Sequence, residues 1–400
     1  MILTKWNKVN KWIGAMLLLM MSAAGVFAAD DEGSSDAFSF LSSLEGVYQS
    51  QLELQADGSL LLVWVQKGQS GLDLFVARQN AEGTFSSPLQ INQRAVGSYT
   101  GDGARPGIAV AAGGAVAVVW AAKGGDIMLA SGSGFGQAFE EPVKLNQDEG
   151  SAYRAMPTTA LAPDGSTHVV WLDSRGIPEG MEEPANLYHA TVADGKVIET
   201  NLTEHQSSTV CGCCRPFISI SDAGEIDIAF RNENDDGYRD IWRIEGTVGS
   251  SGLMSSADST DSLATAASLS KPVPASPPIW KLNACPMAGP IVIDNGTLWK
   301  DASTGAWRTL WATDAGKDPE VLFADQGLEF TYPPRTISGR PDWVLIGAKP
   351  ASLIATHVDG EWRIVMDDLP DWVTSAVAID GQLILMGNKK GRMLIETRSL

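Results

Sequence analysis

The stretch Thr159-Ala160-Leu161-Ala162-Pro163-Asp164-Gly165-Ser166-Thr167-His168-Val169-Val170-Trp171 reads as two strands joined by a tight turn. Asp164-Gly165 supplies the positive φ that such a turn needs, and apolar residues flank it on both sides. The same pattern recurs elsewhere. Gln51-Leu52-Glu53-Leu54 leads through Asp57-Gly58 to Ser59–Trp64, Gly107-Ile108-Ala109-Val110 through Gly113-Gly114 to Ala115–Trp120, and Phe217-Ile218-Ser219-Ile220 through Ala223-Gly224 to Glu225–Phe230. In all four copies the turn glycine precedes an aromatic residue by six positions. Strand side chains alternate between faces, so an even spacing returns the aromatic to the same face each time.

A second segment repeats as well. Thr84-Phe85-Ser86-Ser87-Pro88-Leu89-Gln90-Ile91-Asn92 matches Ala138-Phe139-Glu140-Glu141-Pro142-Val143-Lys144-Leu145-Asn146, with a weaker copy at Glu329–Ile337. One unit is therefore strand, glycine turn, strand, loop, strand, aromatic turn and short outer strand. Four antiparallel strands at a period of about fifty residues define a propeller blade. Later hairpins are expected at Asn295-Gly296 with Trp307–Ala312, at Trp343–Gly347 with Ser352–His357, and from Asp380-Gly381 to the C-terminus. That makes an all-β propeller of seven blades, or six if the last two hairpins are halves of one blade. Phe38–Tyr48 is expected to give an outer strand that closes the ring, and Thr247–Pro278, rich in Ser, Ala and Pro, a flexible insertion. A repeat architecture lets residues 38–400 form one domain beyond the usual single-core size, because each unit packs only on its neighbours.

The N-terminus reads as an export signal. Lys5, Lys8 and Lys11 precede the mostly apolar Ile13–Phe27, and Val26-Phe27-Ala28 has the small-x-small pattern of a signal-peptidase site, placing cleavage after Ala28. Residues 29–37 form a short acidic leader. No later segment has enough consecutive apolar residues to span a bilayer, so the expected location is periplasmic or secreted. The 400-residue chain carries 29 basic and 48 acidic side chains, a formal net charge of −19. Such a surface repels phosphate backbones, which argues against nucleic acid as partner and leaves a small ligand, a glycan or a protein.

The blades resemble the sialidase-like BNR propellers. The best copy of that family's Asp-box, Ser-x-Asp-x-Gly-x-Thr-Trp, is Asp325-Gln326-Gly327-Leu328-Glu329-Phe330, which lacks the Ser and has Phe for Trp. A closer resemblance is to a bacterial sialidase-like subgroup with a Cys-x-Cys-Cys segment. It is carried by Trp171–Arg175, Cys211–Cys214, Phe230-Arg231 with Arg239-Asp240-Ile241, and Trp280–Pro290. Arg215-Pro216-Phe217 and Asn232–Asp236 depart from the subgroup's pattern. The resemblance implies the fold more than any activity.

Cys211-Gly212-Cys213-Cys214 and Cys285 contain all four cysteines of the chain. In an exported protein four cysteines ordinarily make two disulfides, yet bridging neighbours in this cluster is geometrically awkward. The alternatives are redox-active thiols or a soft-metal site, for Cu(I) rather than Zn(II), since structural zinc usually prefers Cys-x-x-Cys pairs. Met287 and His205 are possible additional ligands. A sialidase-type glycoside hydrolase acting on acidic sugars would need an arginine grip, an acid–base Asp and a Tyr nucleophile. Arg105, Arg175, Arg231 and Tyr332 are the weak candidates, and the family's Arg-Ile-Pro signature is absent. Asp173, Arg175, Arg231, Arg239 and Asp240 read as a structural charge network. His168 is expected on a strand facing solvent or a neighbouring blade. The function expected is binding, centred on the cysteines, with a glycosidase or a disulfide-held interaction scaffold as alternatives.

Overall fold

The computed structural model describes residues 38–400 apart from 39, 42, 81, 98–104, 133–138, 151, 178–183, 207, 250–266 and 285. The expected signal, the acidic leader and Cys285 lie outside the described residues. The innermost strands of seven antiparallel sheets are Val47–Leu54, Gly107–Val110, Arg154–Leu161, Phe217–Ile220, Ile291–Ile293, Arg335–Ile337 and Val373–Ile379. Seven apolar clusters fill the gaps between neighbouring sheets in cyclic order. Leu61, Val63 and Val118 pack between the first and second sheets, and Trp64, Val377 and Met386 between the seventh and first. The remaining five clusters join the sheets in between, so the sheets form a closed ring, a β-propeller.

The repeated turn works as its composition dictates. Gly58, Gly114, Gly165 and Gly224 all have φ between 80° and 87°. Each donates its N–H to the carbonyl three residues earlier, as Gly165 does to Ala162 at 3.0 Å. The aromatics six residues on, Trp64, Trp120, Trp171 and Phe230, are all buried at the sheet interfaces. Fully burying such a side chain contributes about 2–3 kcal/mol. Asn92 and Asn146, equivalent in the sequence repeat, play one role: their Oδ1 atoms accept the N–H of Leu74 at 2.7 Å and of Ile127 at 2.9 Å.

Several expectations need correction. The last two hairpins belong to separate sheets, Arg335–Leu369 and Val373–Ser399, not to halves of one blade. Glu329–Phe330 pairs with Ala348–Lys349 and Arg335–Ile337 is an innermost strand, so the third copy of the outer segment is not an outer strand. Phe38, Phe40 and Leu41 are helical, not a strand, and the segment meets the outer hairpin of the seventh sheet through a bridge from Glu45 to Arg392 and the Val47 N–H donating to the Gly391 carbonyl at 2.9 Å. Phe40 instead packs edge-on against Trp64. Of the expected insertion, Ser268–Leu269 and Val273–Pro274 are outer strands paired with Ile241–Thr247. His168 does not face solvent: it is fully buried on the face of its strand that Val170 and Leu172 present to the fourth sheet, 3.0 Å from His189 and from Ser166.

Candidate functional site

The third and fourth sheets are stitched together by a short extra strand, Thr209–Cys211. It pairs with Pro184–Ala193 on one side and with Glu225–Glu233 on the other. After Cys211 the chain turns, with the Cys214 N–H approaching the Cys211 carbonyl at 3.4 Å, and then enters the innermost strand of the fourth sheet at Phe217. Arg215 is buried and locks this turn in place. Its guanidinium donates to the carbonyls of Pro157 and Arg105, tying the turn to the third sheet and to the chain entering the second. Arg215 therefore serves as a structural tie.

The turn gathers three sulfurs. Cys211 Sγ lies 3.5 Å from Cys213 Sγ and 3.5 Å from Cys214 Sγ, and the three fall within 4.8 Å of one another. Cys211 and Cys214 are free and buried. Cys213 is half-buried and disulfide-bonded. The segment Pro286–Pro290 closes over the turn. Ala288 donates its N–H to Cys214 Sγ at 3.4 Å, and a Cβ on Gly289 would come within 2.2 Å of the Arg215 carbonyl oxygen. Only glycine allows that approach.

Two arginines face the sulfurs from the fourth sheet. Arg239 donates from Nη1 to Cys211 Sγ at 3.3 Å, from Nε to the Leu282 carbonyl at 3.0 Å, and pairs with Glu233 at 3.0 Å. Arg231 is fully buried beneath it, donating to the carbonyls of Arg239, Ala288 and Lys300, with its guanidinium 5.0 Å from the centre of the Trp280 ring. Asp240 accepts the N–H groups of Ile279 at 3.0 Å and Trp280 at 3.2 Å. Burial raises its carboxyl above the ordinary range, opposed by those N–H groups and by Arg231.

This setting separates the two thiols. The hydrogen bond with Cys214 pulls the Cys211 thiol down to about 6 against its burial, helped by the Cys213 backbone and by the positive charges of Arg231 and Arg239. Burial pushes Cys214 well above its ordinary value, and the adjoining Cys211 sulfur adds to the effect. Lys300 is held down at about 8 by burial and by the Arg231 charge. One acidified sulfur beside one protonated sulfur can act as a soft two-electron donor pair or as a nucleophile with a proton source.

Of the expected extra ligands, His205 is exposed, and no described His, Asp or Glu joins the cysteine group. Met287 adjoins Ala288 and has a positive φ of 46°. The expected single charge network is in fact two. Asp173 accepts from Arg154 Nε at 2.9 Å, from Arg175 Nη2 at 2.7 Å and from Trp171 Nε1 at 3.0 Å. Arg175 also pairs with Glu199 and Asp148, and lies 4.1 Å from the centre of the Tyr188 ring. This network belongs to the third sheet and its flanking loops, whereas Arg231, Arg239 and Asp240 surround the cysteines. The Trp-x-Asp pairing recurs at Trp299, whose Nε1 donates to Asp301 at 2.8 Å. The weak glycosidase candidates occupy separate settings. Arg105 lies beside Gln51 at the innermost strands, Arg175 and Arg231 hold their own networks, and Tyr332 is exposed before the sixth sheet. Sequence reasoning passed over Ala288 and Gly289 as parts of the site. Their signal lay in the Trp280–Pro290 segment, but an alanine and a glycine carry no chemistry of their own.

Fold and site together define an all-β propeller with a buried cysteine cluster at the seam of two sheets. No protein-family model matches the sequence, and no curated protein matches it. Among solved structures, a puromycin hydrolase aligns with a TM-score of 0.51 at 13% identity, covering 92% of this chain and 55% of that one. A puromycin-hydrolyzing peptidase of Mycobacterium tuberculosis gives 0.53 at 11% identity, covering 91% and 53%. The chain thus spans about half the length of these peptidase chains, and at such identities the likeness is one of fold alone. A Hadza microbial sialidase aligns at 11% identity over 91% of this chain and 67% of its own, with a TM-score of 0.42 that is too low to argue from.

Proposed function

We propose that this chain is an exported binding protein whose propeller holds a soft monovalent cation, Cu(I), between the thiolates of Cys211 and Cys214. The observation that carries the reading is the pair of free, buried sulfurs 3.5 Å apart with an arginine donating to one of them. Thiolates favour Cu(I) over harder cations. Two thiolates around one Cu(I) leave a single negative charge, which the Arg231 and Arg239 guanidiniums offset. Zinc fits less well. Its structural sites take four ligands, and no described His, Asp or Glu adds to the cysteines. Export rests on the N-terminal pattern ending at Ala28.

The test is anaerobic competition of the chelator-stripped, exported protein against a chromophoric Cu(I) chelator, with Zn(II) in parallel. One Cu(I) per chain is expected, with retention lost in Cys211→Ser and in Cys214→Ser. Equal retention in wild type and both variants, or none in wild type, overturns the reading. The mass of the mature protein tests export, with an N-terminus at Ala29 expected.

A further inference from the structure

A cleft of about 340 Å³ opens between the fifth and sixth sheets, away from the cysteines and within the size range of small-molecule sites. The fifth sheet supplies Trp311 from its strand Arg308–Ala312, then Asp314, Lys317 and Asp318 from the loop that follows, and Glu320 at the start of its outer strand. The sixth sheet supplies His357 from its strand Ser352–Val358. Trp311 is held on several sides. A Cβ on Gly296 would come within 2.1 Å of its six-membered ring. The rings of His357 and Trp362 lie with centroids 5.2 Å from its own, and His357 is anchored by Asp294 at 3.3 Å. Trp311 is therefore only 6% exposed, yet its indole N–H has no acceptor among the described residues. Trp64, Trp171 and Trp299 each donate to the side chain two residues on, Gln66, Asp173 and Asp301. At the cleft that position is Thr313, which accepts nothing from the indole.

The charges lining the cleft are unbalanced. Lys317 pairs with Asp314 at 3.4 Å, whereas Asp318 and Glu320 have no cationic partner among the described residues. These carboxylates do not converge on one point: the cysteines are the one group of three metal-ligating side chains that does so among the described residues. A bare divalent cation, which gathers six or more oxygens, is thus a poor fit. A neutral sugar would satisfy the indole N–H but leave both carboxylates without a cation. What fits is a diffuse positive charge, attracted by carboxylates and aromatic faces alike, beside an oxygen that accepts the buried N–H. We propose that this cleft binds a small organic ammonium bearing a hydroxyl, of the choline or ethanolamine kind, with its charge toward Asp318 and Glu320 and its oxygen on Trp311 Nε1. The site is separate from the proposed copper site and does not depend on it.

The test is ligand-observed NMR and calorimetry on the full-length mature protein with three probes. Choline has both features, its isostere 3,3-dimethylbutan-1-ol lacks the charge, and tetramethylammonium lacks the oxygen. One choline per chain is expected, with a dissociation constant below about 10 mM and each analogue at least about fivefold weaker. The surface double variant Asp318→Asn, Glu320→Gln should keep the wild-type urea midpoint and bind choline at least about fivefold more weakly. The proposal is overturned if choline shows no saturable binding below about 10 mM, if either analogue binds as tightly as choline, or if the double variant keeps wild-type affinity.

Discussion

Mild acid should destabilise this propeller through a buried histidine pair. His168 and His189 stack with ring centroids 5.2 Å apart, and His168 Nδ1 faces His189 Nε2 at 3.0 Å. Ser166 donates its hydroxyl proton to Asp164 at 2.6 Å, so its oxygen accepts from His168 Nε2 at 3.0 Å. That fixes His168 Nδ1 as an unprotonated acceptor for the His189 Nε2–H. A further proton on His168 would set two donors against each other in a buried place. Burial accordingly pulls His168 down to about 4 and His189 to about 3, the latter helped by its neighbour. Both folded values lie below the ordinary 6.5, so in that window the unfolded chain binds more protons than the folded one. The stabilisation is complete above pH 6.5 and is lost as pH falls toward the folded values. Near pH 5.5 each ring contributes a slope of about 1.2 kcal/mol per pH unit, and the pair loses roughly 3–4 kcal/mol between about pH 7 and pH 5. Glu53 on the first innermost strand works in the opposite sense. Burial raises it to about 7 against a Ser338 hydrogen bond and the Arg105 charge, so its contribution is present at low pH and lost as pH rises through that value. The clean measurement is therefore a difference. Urea unfolding of wild type is compared with the double variant His168→Phe, His189→Phe, which keeps two stacked rings and removes both titrations. The stability of wild type relative to the variant should fall by roughly 3–4 kcal/mol from about pH 7 to pH 5. A difference that does not change with pH refutes the reasoning.

Three further outcomes follow from the site. In metal-free protein, Cys214→Ala removes the hydrogen bond that most acidifies Cys211, so its thiolate absorbance should titrate about 1–2 pH units higher, whereas Cys214→Ser keeps a donor and a low midpoint. Gly289→Ala forces a Cβ against the Arg215 carbonyl. It should cost about 1–3 kcal/mol in urea unfolding and speed alkylation of Cys214 as the Ala288 N–H withdraws. Arg231→Met leaves three buried carbonyls short of a donor and should lower stability by at least about 3 kcal/mol in urea unfolding, while Arg363→Met, whose pair with Glu361 is exposed, should change it by less than about 1 kcal/mol.

The repeated hairpins were legible because a turn glycine and an aromatic six residues later are local signals. Positive φ needs glycine, and strand alternation fixes the face, so Gly165 and Trp171 announce a hairpin without reference to the rest of the chain. The outer-segment match of Asn92 with Asn146 was legible for the same reason, since each caps a strand of its own sheet. The fourth sheet's outer strands were hidden in a Ser/Pro-rich stretch, because a two-residue edge strand carries almost no pattern. Strand alternation gives the face His168 shares with Val170 and Leu172 but not the side chain it meets there, His189 of the adjoining strand.

The sequence by itself determined that three cysteines cluster within four positions on a repetitive β scaffold, because proximity along the chain is proximity in space over so short a span. What only the tertiary structure decided is the state of each sulfur. Arg239 reaches Cys211 from 28 residues away, and Ala288 reaches Cys214 from 74. A thiol's acidity and partners are set by the charges and donors packed around it, and those arrive from other strands once the ring has closed.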